Sequence, residues 1–455
     1  MAKSIKATAK SLAETDRAHV WHPFTQMSEW VASEPLIIEK GSGNYLVDIN
    51  GKRYLDGVSS LWVNVHGHRK KEIDFAIAKQ LKRIAHSTQL GLASVPAIEL
   101  AEKLVGIAPK GLTKVFYSDN GSTAVEIALK MAFQYWQQTR GGKGRKKFVA
   151  FTGAYHGDTF GSMSVGEIDT FVGIYKPLLF NTLRAPYPYC YRCPMDRERP
   201  SCKTYCLTEL ERMLKEHDGE IAACIIEPMI QGAAGMITSP AGFLRGVRRL
   251  TKKYNVLLIV DEVATGFGRT GAMFASDIEG VRPDIMCMAK GLTGGYLPLA
   301  ATMTTKKIFN AFLGRPEEYR AFYHGHTYTG NQLGAAAAIA NIEIFNKERV
   351  IERMGAKIEF FKNRLEGFYN LARVGDVRSI GLMAGIELVK ERATKETYAS
   401  SERMGRRVSE LARERGVIIR PLGDVIVIMP PLSITTAELK KIMDVVYNAI
   451  DEVTG

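Results

Sequence analysis

Lys290 is the residue in this chain best placed to do covalent chemistry. Residues 283–295 read Pro-Asp-Ile-Met-Cys-Met-Ala-Lys-Gly-Leu-Thr-Gly-Gly: a short apolar run with the form of a buried strand, one lysine, then glycines that free the backbone to turn. A charged tip at such a strand end loses hydration. Desolvation lowers the pKa of an amine and makes it a nucleophile able to form a Schiff base with an aldehyde. The alternative is a lysine that merely snorkels from a strand end, and these residues alone do not choose between the two.

Three more strand patterns end on acids. Residues 114–119 end on Asp119, 221–227 on Glu227, and 256–262 on Asp261 and Glu262. The last has the form of a Walker B strand, but a nucleotide-hydrolysing enzyme also needs GxxxxGK[ST], and the chain has none. Gly266-Phe267-Gly268-Arg269-Thr270-Gly271 matches GxGxxG, yet no helix pattern follows it, so a dinucleotide site is poorly supported. A different set fits better. Asp261 and Lys290 are 29 residues apart, the length of one βαβ step or a strand with an excursion, so both can reach one crevice. After the 114–119 strand, Asn120-Gly121-Ser122-Thr123 opens a helix expected from about residue 124 to 136; free N–H groups, the positive dipole end and a hydroxyl meet there as an anion cradle. Pyridoxal phosphate needs a lysine for its aldehyde, a cradle for its phosphate, a carboxylate at its pyridine nitrogen and an aromatic face for its ring.

The elements that must position these groups alternate strand and helix, which implies a parallel sheet with ligands at the carboxyl ends of its strands. The fold class is therefore α/β. Residues 36–56 read as a meander of hairpins, helices are expected over 71–84 and 95–105, and residues 58–68 read as a pocket wall that is neither strand nor helix. From Ala301 the pattern loosens, before a long helix rich in alanine. The C-terminal part, with strands expected over 384–388, 417–420 and 425–429, reads as a smaller α+β domain.

At 455 residues two domains are the default, and 46% hydrophobic with 24% charged residues describes an ordinary globular chain. The net charge of +13 is scattered, without a basic stripe interleaved with aromatics, so small anionic ligands are expected and nucleic acid is not. The start of the chain lacks an apolar signal region and no apolar run suits a membrane span; a cytoplasmic protein is expected. Four cysteines, Cys190, Cys193, Cys202 and Cys206, have the most metal-like spacing in the chain. Without a second CxxC they read better as a loop of reduced cytosolic thiols, and no metal is assigned to the site.

Taken in order, Ser118 to Ser122, Tyr155-His156-Gly157, Glu227-Pro228 with Gln231-Gly232, Asp261-Glu262-Val263 with the 266–271 glycine motif, and Ala289-Lys290-Gly291 resemble the class III aminotransferases among the fold type I pyridoxal-phosphate enzymes. Within that class Trp21 to Thr25, Ser59 to Trp62, His324 to Tyr328 and Val417 to Gly423 resemble the branch that aminates 8-amino-7-oxononanoate in biotin synthesis. The resemblance implies a large cofactor-binding domain over 66–330, with a small domain formed by 1–65 and 331–455. It implies that Lys290 carries the cofactor and moves the proton, Asp261 holds the pyridine nitrogen, and Tyr155 stacks on the ring. Gly121, Ser122, His156, His326 and Thr327 would complete the cofactor site, with Thr327 reaching across from the partner of a homodimer. Phe24, Trp62, Asp158, Gly325 and Arg420 would meet the substrates, Arg420 pairing with the keto acid's carboxylate. Where the adenosylmethionine-using members have a tyrosine, a second tryptophan and another tyrosine, this chain has Phe24, Leu61 and Val427, which resembles the lysine-using version more closely.

Overall fold

Seven strands form the sheet on which everything else is mounted. In a computed structural model, which describes residues 9–198 and 201–455, their order across the sheet is Leu112–Ser118, Ala300–Thr305, Ile285–Met288, Leu257–Asp261, Ile221–Ile226, Lys147–Phe151 and Leu183–Ala185. Residues 1–8 of the polar N-terminal stretch lie outside the described residues. Only Ala300–Thr305 runs antiparallel to its neighbours. The three central strands are buried at every position, as expected of a parallel sheet covered on both faces. Their side chains alternate. Ile225, Ile259, Ile285 and Cys287 pack with Ala124, Val125 and Ala128 of the Gly121–Gln138 helix; Cys224, Ile226, Leu258, Val260, Met286 and Met288 pack with Phe243, Leu244, Val247 and Leu210 from the helices on the opposite face.

Two smaller sheets flank this core. The hairpin meander appears as Ile38–Ser42, Tyr45–Asp48 and Arg53–Asp56, joined by Val417–Ile418. The other sheet is ordered Val374–Ile380, Met383–Leu388, Val425–Ile428, Arg420–Leu422. The strand expected over 417–420 is thus two short strands in two different sheets, with Ile419 between them. Two further strands depart from the sequence reading. Ala300–Thr305 lies inside the main sheet where the sequence pattern loosens, because its alanines and the lack of large apolar residues dilute the strand signal of its threonines; Val374–Ile380 alternates too irregularly to stand out. The Gly121–Gln138 helix starts three residues before the expected position, since Asn120 and Thr123 close a capping box.

The 266–271 glycine motif has a structural task. Arg269, fully buried, donates to Asn64 O at 2.7 Å, Pro430 O at 3.0 Å and Ser59 Oγ at 3.1 Å, tying N- and C-terminal segments to the main domain. Glu262 is likewise absorbed, accepting from Thr265 Oγ1, Ala275 N, Ser276 N and Ser276 Oγ. Cys206 opens the Cys206–Glu216 helix, and burial pushes its thiol up to about 11. Among the described residues no group of three or more His, Cys, Asp or Glu could hold a metal ion, and no helix is long and apolar enough to cross a membrane.

Candidate active site

Sheet register decides which strand ends meet. Ile226 pairs with Val260 and Asp261 with Cys287, so Glu227, Asp261 and Lys290 leave the sheet side by side from three adjacent strands. They open into a cavity of about 700 Å³ that is also lined by Trp62, Gly121, Ser122, Tyr155, His156 and Asp158. Eight of the residues expected at the site are thereby brought together.

Lys290 begins a 3₁₀ turn, Lys290–Thr293, with φ of +42°, a left-handed conformation that a non-glycine residue adopts only when its surroundings hold it. Burial lowers its pKa; Asp261 and Glu227 pull in the other direction. The ammonium lies 5.3 Å from the centroid of the Trp62 ring. Trp62 is itself held in a kinked turn, Ser59–Trp62, in which Ser59, Ser60 and Trp62 all have positive φ. Asp261 is fixed at both oxygens: Oδ2 lies 2.7 Å from His156 Nδ1, and Oδ1 accepts from Val263 N at 3.0 Å. Only 6% of its side chain is exposed, and Asp261 is part of the cavity lining.

Opposite Asp261 lies the start of the Gly121–Gln138 helix. Asn120 caps Thr123 N, which leaves the first-turn N–H groups of Gly121 and Ser122 facing the cavity. A side chain at residue 121 would meet Val263 Cγ1 at 2.6 Å, so only glycine leaves the approach open. Ser122 Oγ already accepts from Asp158 N at 2.8 Å and Thr159 N at 3.1 Å, and its own proton remains for a ligand or for Thr159 Oγ1. Gly157 has φ of +123°, and a Cβ there would fall 2.1 Å from Ser122 Oγ, so no larger residue fits. Tyr155 donates its hydroxyl to Asp158 Oδ2 at 2.8 Å and its backbone N–H to Glu227 Oε1 at 3.1 Å; burial, then the Asp158 hydrogen bond, raises the phenol's pKa.

The other expected residues sit apart. Phe24 and Arg420 are neighbours, with the guanidinium 5.9 Å from the ring centroid, outside the cavity lining. They connect to it through Phe171, whose ring meets Phe24 at 5.1 Å and Tyr155 at 5.7 Å, both edge to face. Burial lowers the pKa of Arg420, countered by Tyr155. Gly325 and Thr327 do not line the cavity of their own chain: Thr327 O faces His86 Nε2 at 2.8 Å. His326 Nδ1 is 2.6 Å from Asp119 Oδ2 at the cavity edge. The sequence places Glu227 at a strand end and Val263 in the motif after Asp261 without giving either a role, and nothing in the local pattern signals Phe171.

A mostly parallel sheet that sets a desolvated lysine beside a fixed acid, facing a glycine-opened helix start, defines a fold type I transferase. Residues 26–450 match the family model described as Aminotransferase class-III, and the chain belongs to that family, whose members are pyridoxal-phosphate-dependent aminotransferases. It is 53% identical over 447 residues to the adenosylmethionine-8-amino-7-oxononanoate aminotransferase of Geobacter sulfurreducens, covering 98% of each chain. The crystal structure of the enzyme of that name from Methanocaldococcus jannaschii superposes with a TM-score of 0.94 at 50% identity, over 98% of this chain and 99% of that one. An omega transaminase from Pseudomonas jessenii in complex with PMP superposes with a TM-score of 0.93 at 32% identity, over 98% of each chain.

Proposed function

We propose that this chain uses pyridoxal phosphate to transfer an amino group to 8-amino-7-oxononanoate, forming 7,8-diaminononanoate in biotin synthesis. The observation that carries the chemistry is the row of Glu227, Asp261 and Lys290 on adjacent strand ends. The substrate rests on relatives at 50–55% identity that bear that name over nearly the whole chain. When bound, the cofactor supplies an electrophilic aldehyde and a ring that accepts electrons. Lys290 Nζ, kept reactive by desolvation, is the amine that would hold that aldehyde and, once released by a donor amine, would take and return the proton at the substrate's carbon. Asp261, braced by His156, holds a proton at the ring nitrogen. Gly121 and Ser122 receive the phosphate with first-turn N–H groups and a hydroxyl, and Tyr155 covers the ring. Arg420 takes the acceptor's carboxylate at the outer end of the aromatic path formed by Tyr155, Phe171 and Phe24.

The donor is L-lysine in this reading, because Phe24 lacks a phenol hydroxyl, Leu61 lacks an indole, and Val427 is a buried aliphatic residue paired with Arg420 across the small sheet. The names of the relatives favour S-adenosyl-L-methionine instead. One experiment separates the two. The yellow enzyme is mixed in single turnover with each donor; lysine is expected to bleach the visible band, and bleaching by adenosylmethionine alone would reverse the choice. Borohydride reduction followed by peptide mass analysis is expected to find the cofactor on Lys290, and its recovery on no residue would end the proposal.

A further inference from the structure

The lysine's strained turn has a clamp that the chemistry above does not use. Asn341, on the Gln332–Lys347 helix and fully buried, donates from one Nδ2 to Gly291 O at 2.9 Å and to Leu292 O at 3.0 Å. These are the two carbonyls directly after Lys290, within the turn that holds it at φ of +42°. The other end of the amide, Oδ1, has no hydrogen-bond partner among the described residues and crowds Gly294, whose substitution by alanine would place a Cβ 3.0 Å from it. His66 Nε2 is also buried without a partner among the described residues. The two orphans belong to neighbours: the imidazole packs edge to face on Phe345 of the same helix, 4.9 Å between centroids, and oxygens of Asn341 oppose the effect of burial on the ring. Burial, the larger influence, pushes the His66 pKa down to about 4, so the ring is neutral, with one N–H to give.

We propose that Asn341 is a positioning residue for Lys290: its amide holds the turn that aims the lysine, and His66 fixes which way round the amide lies. A flipped amide would set Oδ1 against two carbonyl oxygens and leave both N–H groups idle, so orientation decides whether the clamp works. The inference rests on Lys290 being the cofactor-bearing amine.

The test compares wild type with Asn341→Ala and Asn341→Ser after loading with pyridoxal phosphate. Borohydride must first fix cofactor to Lys290 in wild type; failure there counts against the role of Lys290 and removes the basis of the clamp. With that established, Asn341→Ala is expected to bind cofactor but to shift the pH midpoint of its visible band. Its kcat should fall about ten- to a hundredfold with KM little changed, the scale of a misplaced reacting group. Asn341→Ser, which keeps one donor, should recover part of both effects and serves as the test if the alanine variant does not fold. An unchanged midpoint in the folded variants, with or without a loss of activity, would overturn the proposal.

Discussion

Glu227 shows what a single strand-end acid does when it is neither the nucleophile nor the anchor. Burial raises its pKa to about 7; His156 works against that shift and Asp261 with it, while the N–H groups of Gly232 and Tyr155 lower it. Between the ordinary carboxyl value of 4.5 and about 7 the folded protein therefore holds a proton that the unfolded chain has released. The corresponding stability is fully present below 4.5 and is lost as pH rises through 7. Glu227→Gln cannot ionise but still offers an oxygen to the backbone. The melting temperature of the cofactor-free enzyme should fall less steeply between pH 5 and 8 in that variant than in wild type, and parallel profiles would mean that Glu227 is charged throughout. Lys290 and Asp261 were legible in the sequence because each terminates an apolar run, where a polar residue is conspicuous. Glu227 was equally conspicuous, but its task depends on which strand lies beside it, and adjacency is a property of the sheet. Phe171 gives no signal at all: it lies in the short Asp169–Val172 helix, and only the tertiary fold brings its ring against Phe24 and Tyr155.

Among the elements, the Gly121–Gln138 helix joins core and site: its middle packs on the sheet and its first turn faces the cavity. The capping box keeps that turn wound, with Asn120 Oδ1 accepting from Thr123 N at 3.1 Å and Thr123 Oγ1 facing Asn120 N at 3.2 Å. Asn120→Ala should destabilise the protein by about 1 kcal/mol and weaken pyridoxal phosphate binding in an absorbance titration. A drop in thermal stability with affinity untouched would show that the phosphate is held elsewhere. The sequence made the central strands and this helix readable because both faces of a parallel sheet demand long apolar runs. The limits of that reading are instructive too. Ala300–Thr305 is as buried as its neighbours but small and polar in composition, so only its place between two strands makes it a strand. The start of the helix was placed too late because Gly121 and Ser122 are poor helix formers and the cap, a local hydrogen-bond exchange, outweighs their propensity.

At the scale of the whole molecule, the stretch that leads to the site carries apolar side chains in the open. Leu90 is 90% exposed, Leu92 60%, Val95 52% and Ile98 59%, and this run lies near the loop bearing Thr327, which His86 contacts. These features support a homodimer in which Thr327 serves the partner's cavity. Mixed dimers provide the check. Lys290→Ala and Thr327→Ala chains, each impaired alone at limiting pyridoxal phosphate, should regain about a quarter of wild-type activity when co-expressed, since half the dimers then carry one intact site; no recovery would place Thr327 in its own chain's site or in none. One further consequence follows from Ile419, the lone residue between a strand of the N-terminal meander and a strand of the C-terminal sheet. It acts as a ruler one residue long. Because side chains along a strand alternate faces, deleting or duplicating Ile419 would force one of the two strands to slip by a residue against its partner, and a slip of Arg420–Leu422 against Val425–Ile428 would turn Arg420 to the opposite face; a folded variant with a raised KM for 8-amino-7-oxononanoate is the outcome expected if Arg420 holds the carboxylate as proposed.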